Sequence, residues 1–224
     1  MLDVQLVVAH EAGGDRHAFW TVSFPGLVGG ITCLSEKGVF AAVHDVNIRP
    51  KTMMTNLLPR LVALRAIVEQ ASPENALQKA HALCRESGTL YGNNFHVAAV
   101  GGRAGVVEYD SDESIDKGAT LRLPDGGSHL TNTNHHRKRR KPSSCFRYAR
   151  LEETFALLSA QSVKIGLREM KVLIGAAEVP MTMHQVVVDL EAKEARLALQ
   201  TKPGKKASTN GYKTLRWRDV FPKK

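Results

Sequence analysis

The stretch Phe24-Pro25-Gly26-Leu27-Val28-Gly29-Gly30-Ile31-Thr32-Cys33-Leu34-Ser35-Glu36-Lys37-Gly38-Val39 decides how the chain organises. Phe24-Pro25-Gly26 is turn chemistry, because proline fixes φ and glycine tolerates positive φ. Behind it Val28 to Leu34 and Val39 to His44 are rich in β-branched and apolar residues, the composition of strands. Ser35-Glu36-Lys37-Gly38 joins them, and Gly38 can take the positive φ that a tight turn requires. The reading is a β-hairpin.

Upstream, Val4 to Val8 and His17 to Val22 form a second hairpin around Gly13-Gly14-Asp15, so at least four strands precede any helix. Downstream of Pro50 the period changes. Leu57, Leu61, Leu64, Ile67 and Val68 recur at spacings of three and four, the signature of one helix face. Ser72-Pro73-Glu74 offers an N-cap, a proline at the first helical position and an early acid for a second helix running to Gly88. Asn94 to Val100 and Gly105 to Tyr109 form a hairpin across Gly101-Gly102. Asp110 to Gly127 is polar and turn-rich, and Ser128 to Thr131 reads as a short strand. A helix capped by Ser143 or Ser144 runs through Tyr148, Leu151, Phe155 and Leu158, a further helix covers Leu167 to Ile174, and Thr182 to Leu190 with Ala195 to Gln200 makes a last hairpin. Dominance of hairpins predicts an α+β protein with mainly antiparallel sheets and helices packed outside them.

The 224 residues carry a net charge of +9, with 43% hydrophobic and 24% charged residues. That composition is globular, and no apolar run reaches the roughly 18 residues of a membrane span. No basic segment leads into an apolar one at the start, so a cytoplasmic location is expected. The charge is local. Arg137 to Lys141 with Arg147 and Arg150 has no acid among it, and residues 202–224 form a second basic segment, a tail behind a domain of residues 1–201. A basic loop can bind phosphate, but no RNA-binding aromatic motif or helix-turn-helix accompanies it, so specific nucleic-acid binding is not expected. Cys33, Cys84 and Cys145 are odd in number and widely spaced, which fits neither a disulfide framework nor zinc. The histidines never stand at H-x-x-x-H spacing, and no phosphate-binding loop, dinucleotide fingerprint or G-x-S-x-G elbow is present. No metal and no cofactor are expected.

Three segments in order carry a more specific signal. The stretch 24–39 resembles a "PGLVG-x-x-T-G-M-N-E-K-G-L" hairpin, Leu130-Thr131-Asn132-Thr133-Asn134-His135 resembles an "H-T-N-H" element, and Ser143 to Leu151 resembles an "S-x-x-R-x-x-R-L" helix start. Gly92-Asn93-Asn94-Phe95 and Val106-Val107-Glu108 fall between the first two. The set resembles the acyl-coenzyme A:6-aminopenicillanic acid acyltransferase-like hydrolases, peptidase family C45, within the N-terminal-nucleophile superfamily, over nearly the whole chain to about Leu199.

The resemblance implies a four-layer αββα sandwich and an amide hydrolase or acyltransferase acting on a small-molecule amide or acyl donor. Its nucleophile is a cysteine freed as the first residue, whose α-amino group, with a pKa near ~8, can take the thiol proton. An asparagine amide stabilises the oxyanion, and this position falls on Asn134. A backbone donor falls at His44 to Asp45, where family members more often carry asparagine. His135, Arg147 and Asn94 are the candidate substrate-binding residues. The two strands that carry and follow the family's cysteine precede the segment matching Leu2 to Ala9, and neither Cys33 nor Cys145 falls at the nucleophile position. The expectation is therefore a chain inactive alone, its cysteine encoded upstream, supplied by a partner chain or lost, with an unpaired sheet edge through which it could form homo-oligomers. The alternative is an inactive homologue that binds an anionic ligand through Arg137 to Lys141 and Arg147.

Overall fold

A computed structural model describes residues 5–49, 56–110, 112–126 and 129–221. The helix expected to be capped by Ser143 or Ser144 has Cys145 at its N-cap and no side-chain cap, while Val4 of the first expected strand and Ser128 of the strand expected at 128–131 lie outside the described residues. The chain divides into two compact units, one of residues 6–143 and one of residues 144–224 together with the first five.

The unit of residues 6–143 is one antiparallel sheet of seven strands in sequence order: β1 (Leu6–His10), β2 (Phe19–Ser23), β3 (Thr32–Ser35), β4 (Val39–Val46), β5 (Gly92–Ala99), β6 (Arg103–Tyr109) and β7 (Ala119–Arg122). Helices α1 (Arg60–Gln70) and α2 (Ala76–Glu86) connect β4 to β5. Both pack on one face of the sheet, α1 over β3 and β4, α2 over β5, β6 and β7. Alternation builds the core between them, since successive side chains in a strand point to opposite faces. Val39 and Ala41 of β4, Phe95 and Val97 of β5, and Val107 and Tyr109 of β6 meet Leu64, Ile67, Val68, Ala80 and Cys84 of the helices.

The hairpin at 24–39 forms around two glycines that no other residue could replace without strain. Gly38 has φ +81, and a Cβ on it would lie 2.7 Å from Val100. Gly29 has φ +108, and its Cβ would lie 2.6 Å from the Leu61 backbone, while the Gly30 amide donates to the Leu61 carbonyl at 3.2 Å. Sequence placed a strand from Val28. The structure begins β3 at Thr32, because the chain at 29–30 is pressed against α1 in a conformation a strand cannot adopt.

Two further boundaries differ from expectation. The second helix starts at Ala76, not at Pro73, since the Ser72 amide donates to the Asn75 side chain at 2.9 Å and closes a turn there. β7 arises inside the segment read as turn-rich, whereas residues 129–131 form no strand. Asp116, Lys117 and Gly118 precede β7 with φ of 44°, 52° and 93°. Left-handed backbone at a non-glycine residue costs roughly 1–2 kcal/mol.

The second unit holds α3 (Phe146–Ala160), α4 (Leu167–Ala176) and an antiparallel sheet in the order β10-β9-β8, formed by β8 (His184–Asp189), β9 (Glu194–Leu199) and β10 (Lys213–Arg216). α5 (Trp217–Val220) follows β10. α3 packs against α4, and α4 against β8. The basic segment 202–221 is thus partly structured: β10 pairs with β9 through Leu215 opposite Ala195, and Glu178 accepts from the Ser208 hydroxyl at 2.6 Å. Each unit supplies one sheet and one helical layer, the components of the expected sandwich. Among the described residues no helix is long and apolar enough to cross a membrane.

Candidate active site

Register carries the site. His44 pairs with Asn94, Asn94 with Glu108 and Glu108 with Thr120, so these four residues stand side by side across β4, β5, β6 and β7. Their parity places them on the sheet face opposite α1 and α2. Onto this face folds the segment 132–140.

Buried Asn94 holds that segment. Its amide Nδ2 reaches the Asn132 side-chain oxygen at 3.0 Å, the Thr133 carbonyl at 2.8 Å and the His135 carbonyl at 3.0 Å. Glu108, fully buried, holds it further along. The Glu108 carboxylate accepts from three consecutive backbone amides, Arg137 at 2.8 Å, Lys138 at 2.9 Å and Arg139 at 2.7 Å, and from Arg122 Nε at 2.9 Å. A buried charge needs this density of donors, because desolvation without them costs several kcal/mol.

Asp110 completes the anchor. Arg139 Nε donates to it at 2.7 Å, Arg140 donates to its other oxygen, and Arg140 Nη2 reaches Asp112 at 3.0 Å. Burial pushes the Asp110 carboxyl up, but the hydrogen bonds from Arg139 and Arg140 outweigh it and hold the group below its ordinary value. Burial also keeps His136 below the usual imidazole value despite nearby Asp110 and Glu108. The basic loop is therefore a buried ion network more than a solvated patch. Arg139 and Arg140 are spent on carboxylates, which leaves fewer cations for the anion-binding alternative.

The result is the placement of Asn134. Its side-chain amide donates to the Asp45 carbonyl at 2.8 Å, joining the segment 132–140 to the end of β4. An asparagine amide carries two hydrogens, so one remains for another acceptor. Asp45 is itself tethered, its carboxylate lying 2.8 Å from Arg60 Nε. Of the residues singled out in the sequence, Asn134, His44, Asp45, Asn94 and His135 come together in one unit. Asn94 is a buried anchor of the segment. Arg147 lies on α3 in the other unit. Glu108, Asp110 and Asn132 were not singled out as site residues, and Arg139 only within the basic run 137–141, although two acids at alternate positions closing the apolar run Val106-Val107 hinted at a buried charge.

Cys33 and Cys84 lie in the hydrophobic core of this unit. Burial pushes the Cys33 thiol up to about 12 and the Cys84 thiol higher, which suppresses the thiolate a nucleophile needs. Among the described residues, no group of three or more His, Cys, Asp or Glu side chains is arranged to hold a metal ion.

The chain has the fold of the N-terminal-nucleophile hydrolases. Two structures of conjugated bile acid hydrolase from Clostridium perfringens match it with TM-scores of 0.61 and 0.60, each at 10% identity over 91% of this chain and 78% of the other. Penicillin V acylase from Agrobacterium tumefaciens matches at 0.55, with 13% identity over 89% and 74% of the two chains. The Caenorhabditis elegans ortholog of N-acylethanolamine-hydrolyzing acid amidase matches at 0.54, with 11% identity over 90% and 82%. No family model and no curated protein sequence matches the chain.

Proposed function

We propose that the protein is a C–N hydrolase acting on linear amides, of the N-terminal-nucleophile C45 type, with an acyltransferase reaction as its variant. The observation that carries this reading is the Asn134 amide fixed against the end of β4 at 2.8 Å from the Asp45 carbonyl. An oxyanion forms where a nucleophile adds to an amide carbonyl, and a pre-oriented amide donor stabilises it without reorganisation. Asn134 is that donor, and the end of β4 at His44 and Asp45 supplies the backbone partner. The fold shared with enzymes named as hydrolase, acylase and amidase supports the same chemistry.

The nucleophile in this mechanism is a cysteine at a mature N-terminus. Its thiolate adds to the amide carbon, the amine leaves with a proton, and the acyl-enzyme passes to water in a hydrolase or to a second amine in an acyltransferase. Cys33 and Cys84 cannot take the role, being buried with raised thiol pKa values.

The test is to determine the N-terminal residue of the protein isolated from its natural source and assay that form on a panel of N-acyl amides. An N-terminal cysteine, amide cleavage and an acyl mass increment on that residue are the expected result. A source protein that begins with Met1 and cleaves no amide overturns the proposal.

A further inference from the structure

At the β7 edge of the seven-stranded sheet lies an open cavity of about 440 Å³, on whose walls stand His81 and Arg85 of α2, Asp116, Lys117 and Thr120, and Lys138 of the basic loop. Thr120 shares the register row of His44, Asn94 and Glu108, and Lys138 belongs to the segment 132–140, but among the described residues none of these side chains bonds to Asn134 or Asp45. Cations reach the cavity from three separate elements, and they differ from their neighbours in being unspent. Arg122 is paired with Glu108, and Arg139 and Arg140 with Asp110. Arg85 and Lys117 are exposed and make no ion pair among the described residues. Lys138 gives one of its three protons to the Leu121 carbonyl at 3.2 Å, and His81 Nε2 lies 3.0 Å from the Ala119 carbonyl. These two contacts cap the open edge of β7 and fix both side chains in place. The one carboxylate on the wall, Asp116, accepts the Thr120 hydroxyl at 2.6 Å.

The wall that carries Lys117 is held in an unfavourable backbone. Asp116, Lys117 and Gly118 all have positive φ, a conformation that persists only where the surroundings over-determine it. Arg139 supplies that constraint, its Nη1 donating to the Ile115 carbonyl at 2.5 Å and its Nη2 to the Asp112 carbonyl at 2.6 Å. Glycine or asparagine would serve the left-handed position better than lysine. Backbone geometry therefore does not select a lysine at 117. Like charges gathered round a concavity focus the field on a small multivalent anion. A guanidinium and two ammonium groups supply the charge-assisted donors that phosphate oxygens accept. Asp116 favours a ligand that also carries a hydroxyl donor.

We propose that this cavity binds a small phosphate monoester of a polyol, its phosphate held by Arg85, Lys117 and Lys138 and a hydroxyl donating to Asp116. The test is calorimetric titration of the full chain with glycerol 3-phosphate, inorganic phosphate and acetate at matched ionic strength. Saturable binding of one glycerol 3-phosphate per chain is expected, inorganic phosphate binding more weakly and acetate more weakly still. Arg85→Ala and Lys117→Gly should each weaken binding about tenfold, the loss of one charge-assisted contact. Lys117→Gly also relieves the strained φ, so its melting temperature should hold or rise while affinity falls, which separates charge from folding. Lys205→Ala with Lys206→Ala, in the other unit, should bind as the parent does. Unsaturable heats, equal response to acetate, full affinity in both cavity variants, or an equal loss in the Lys205/Lys206 pair overturns the proposal.

Discussion

The backbone amide of Arg139 lies 2.7 Å from the buried Glu108 carboxylate, so the loop with the densest positive charge is fastened by the main chain, through a residue on an interior strand next to the sheet edge. Glu108→Gln keeps the volume but removes the charge and one acceptor's strength from three loop amides and Arg122. Breaking one side of such a buried pair costs roughly 3–5 kcal/mol. The expected outcome is a large fall in denaturant midpoint, together with faster amide exchange at Arg137 to Arg139. Unchanged exchange there would count against the anchor.

Asn134 and Asn94 should separate by role. Asn134 is half-buried and, among the described residues, bonds through its side chain to Asp45 alone, whereas Asn94 is fully buried and spans three acceptors. In the form carrying an N-terminal cysteine, Asn134→Ala should lower kcat by about 10²–10³ with a small change in melting temperature, the cost of one oxyanion donor. Asn94→Ala should lower melting temperature first, by about 1–3 kcal/mol of stability for buried acceptors left unmatched. Equal effects of the two on stability would refute the division.

Thiol labelling provides an independent check of burial. Cys33 and Cys84 are fully buried, and Cys145 is partly exposed. Native protein treated with a maleimide should modify Cys145 well before the other two, and denatured protein should modify all three. Early labelling of Cys33 would place its strand wrongly.

Two histidines set the acid side of the stability profile. Burial, with the nearby Arg122 charge, pushes His96 down to about 4, and burial does the same to His184. The unfolded chain then takes up protons below about 6.5 while the native one resists. Stability present above pH 6.5 should be lost as pH falls toward 4, and Asp110, held below its ordinary value, should extend the decline at lower pH. His96→Gln and His184→Gln should flatten the melting-temperature profile between pH 6.5 and 4; a profile as steep as the parent's would exclude these groups.

The local signals that work at short range were legible. Gly38, the turn Gly101-Gly102, and the apolar spacing of Leu64, Ile67 and Val68 marked their elements, because turns and amphipathic helices are written within a few residues. β7 was not legible: Ala119-Thr120-Leu121-Arg122 alternates, but over four residues set within a turn-rich segment, and it owes its strand conformation to pairing with β6. β10 hid among lysines for the same reason, with Leu215 as its one apolar residue. The basic loop was the deepest miss. Arg139 and Arg140 look solvent-directed in sequence, and only the register that sets Glu108 and Asp110 beneath them makes them structural. Asn134 was singled out through resemblance alone, while the contact that fixes it crosses 89 positions to Asp45.

The unbroken order of the seven strands has a kinetic meaning. Every strand lies beside its sequence neighbour, so a chain emerging from the ribosome can zip the sheet strand by strand, each addition closing a short loop. One junction departs from this: β5 reaches β4 only after the helix pair between them has been made. Closure entropy grows with loop length, so docking of β5 onto β4 is where the nascent sheet should pause, with four strands formed and the platform for Asn134 still unmade.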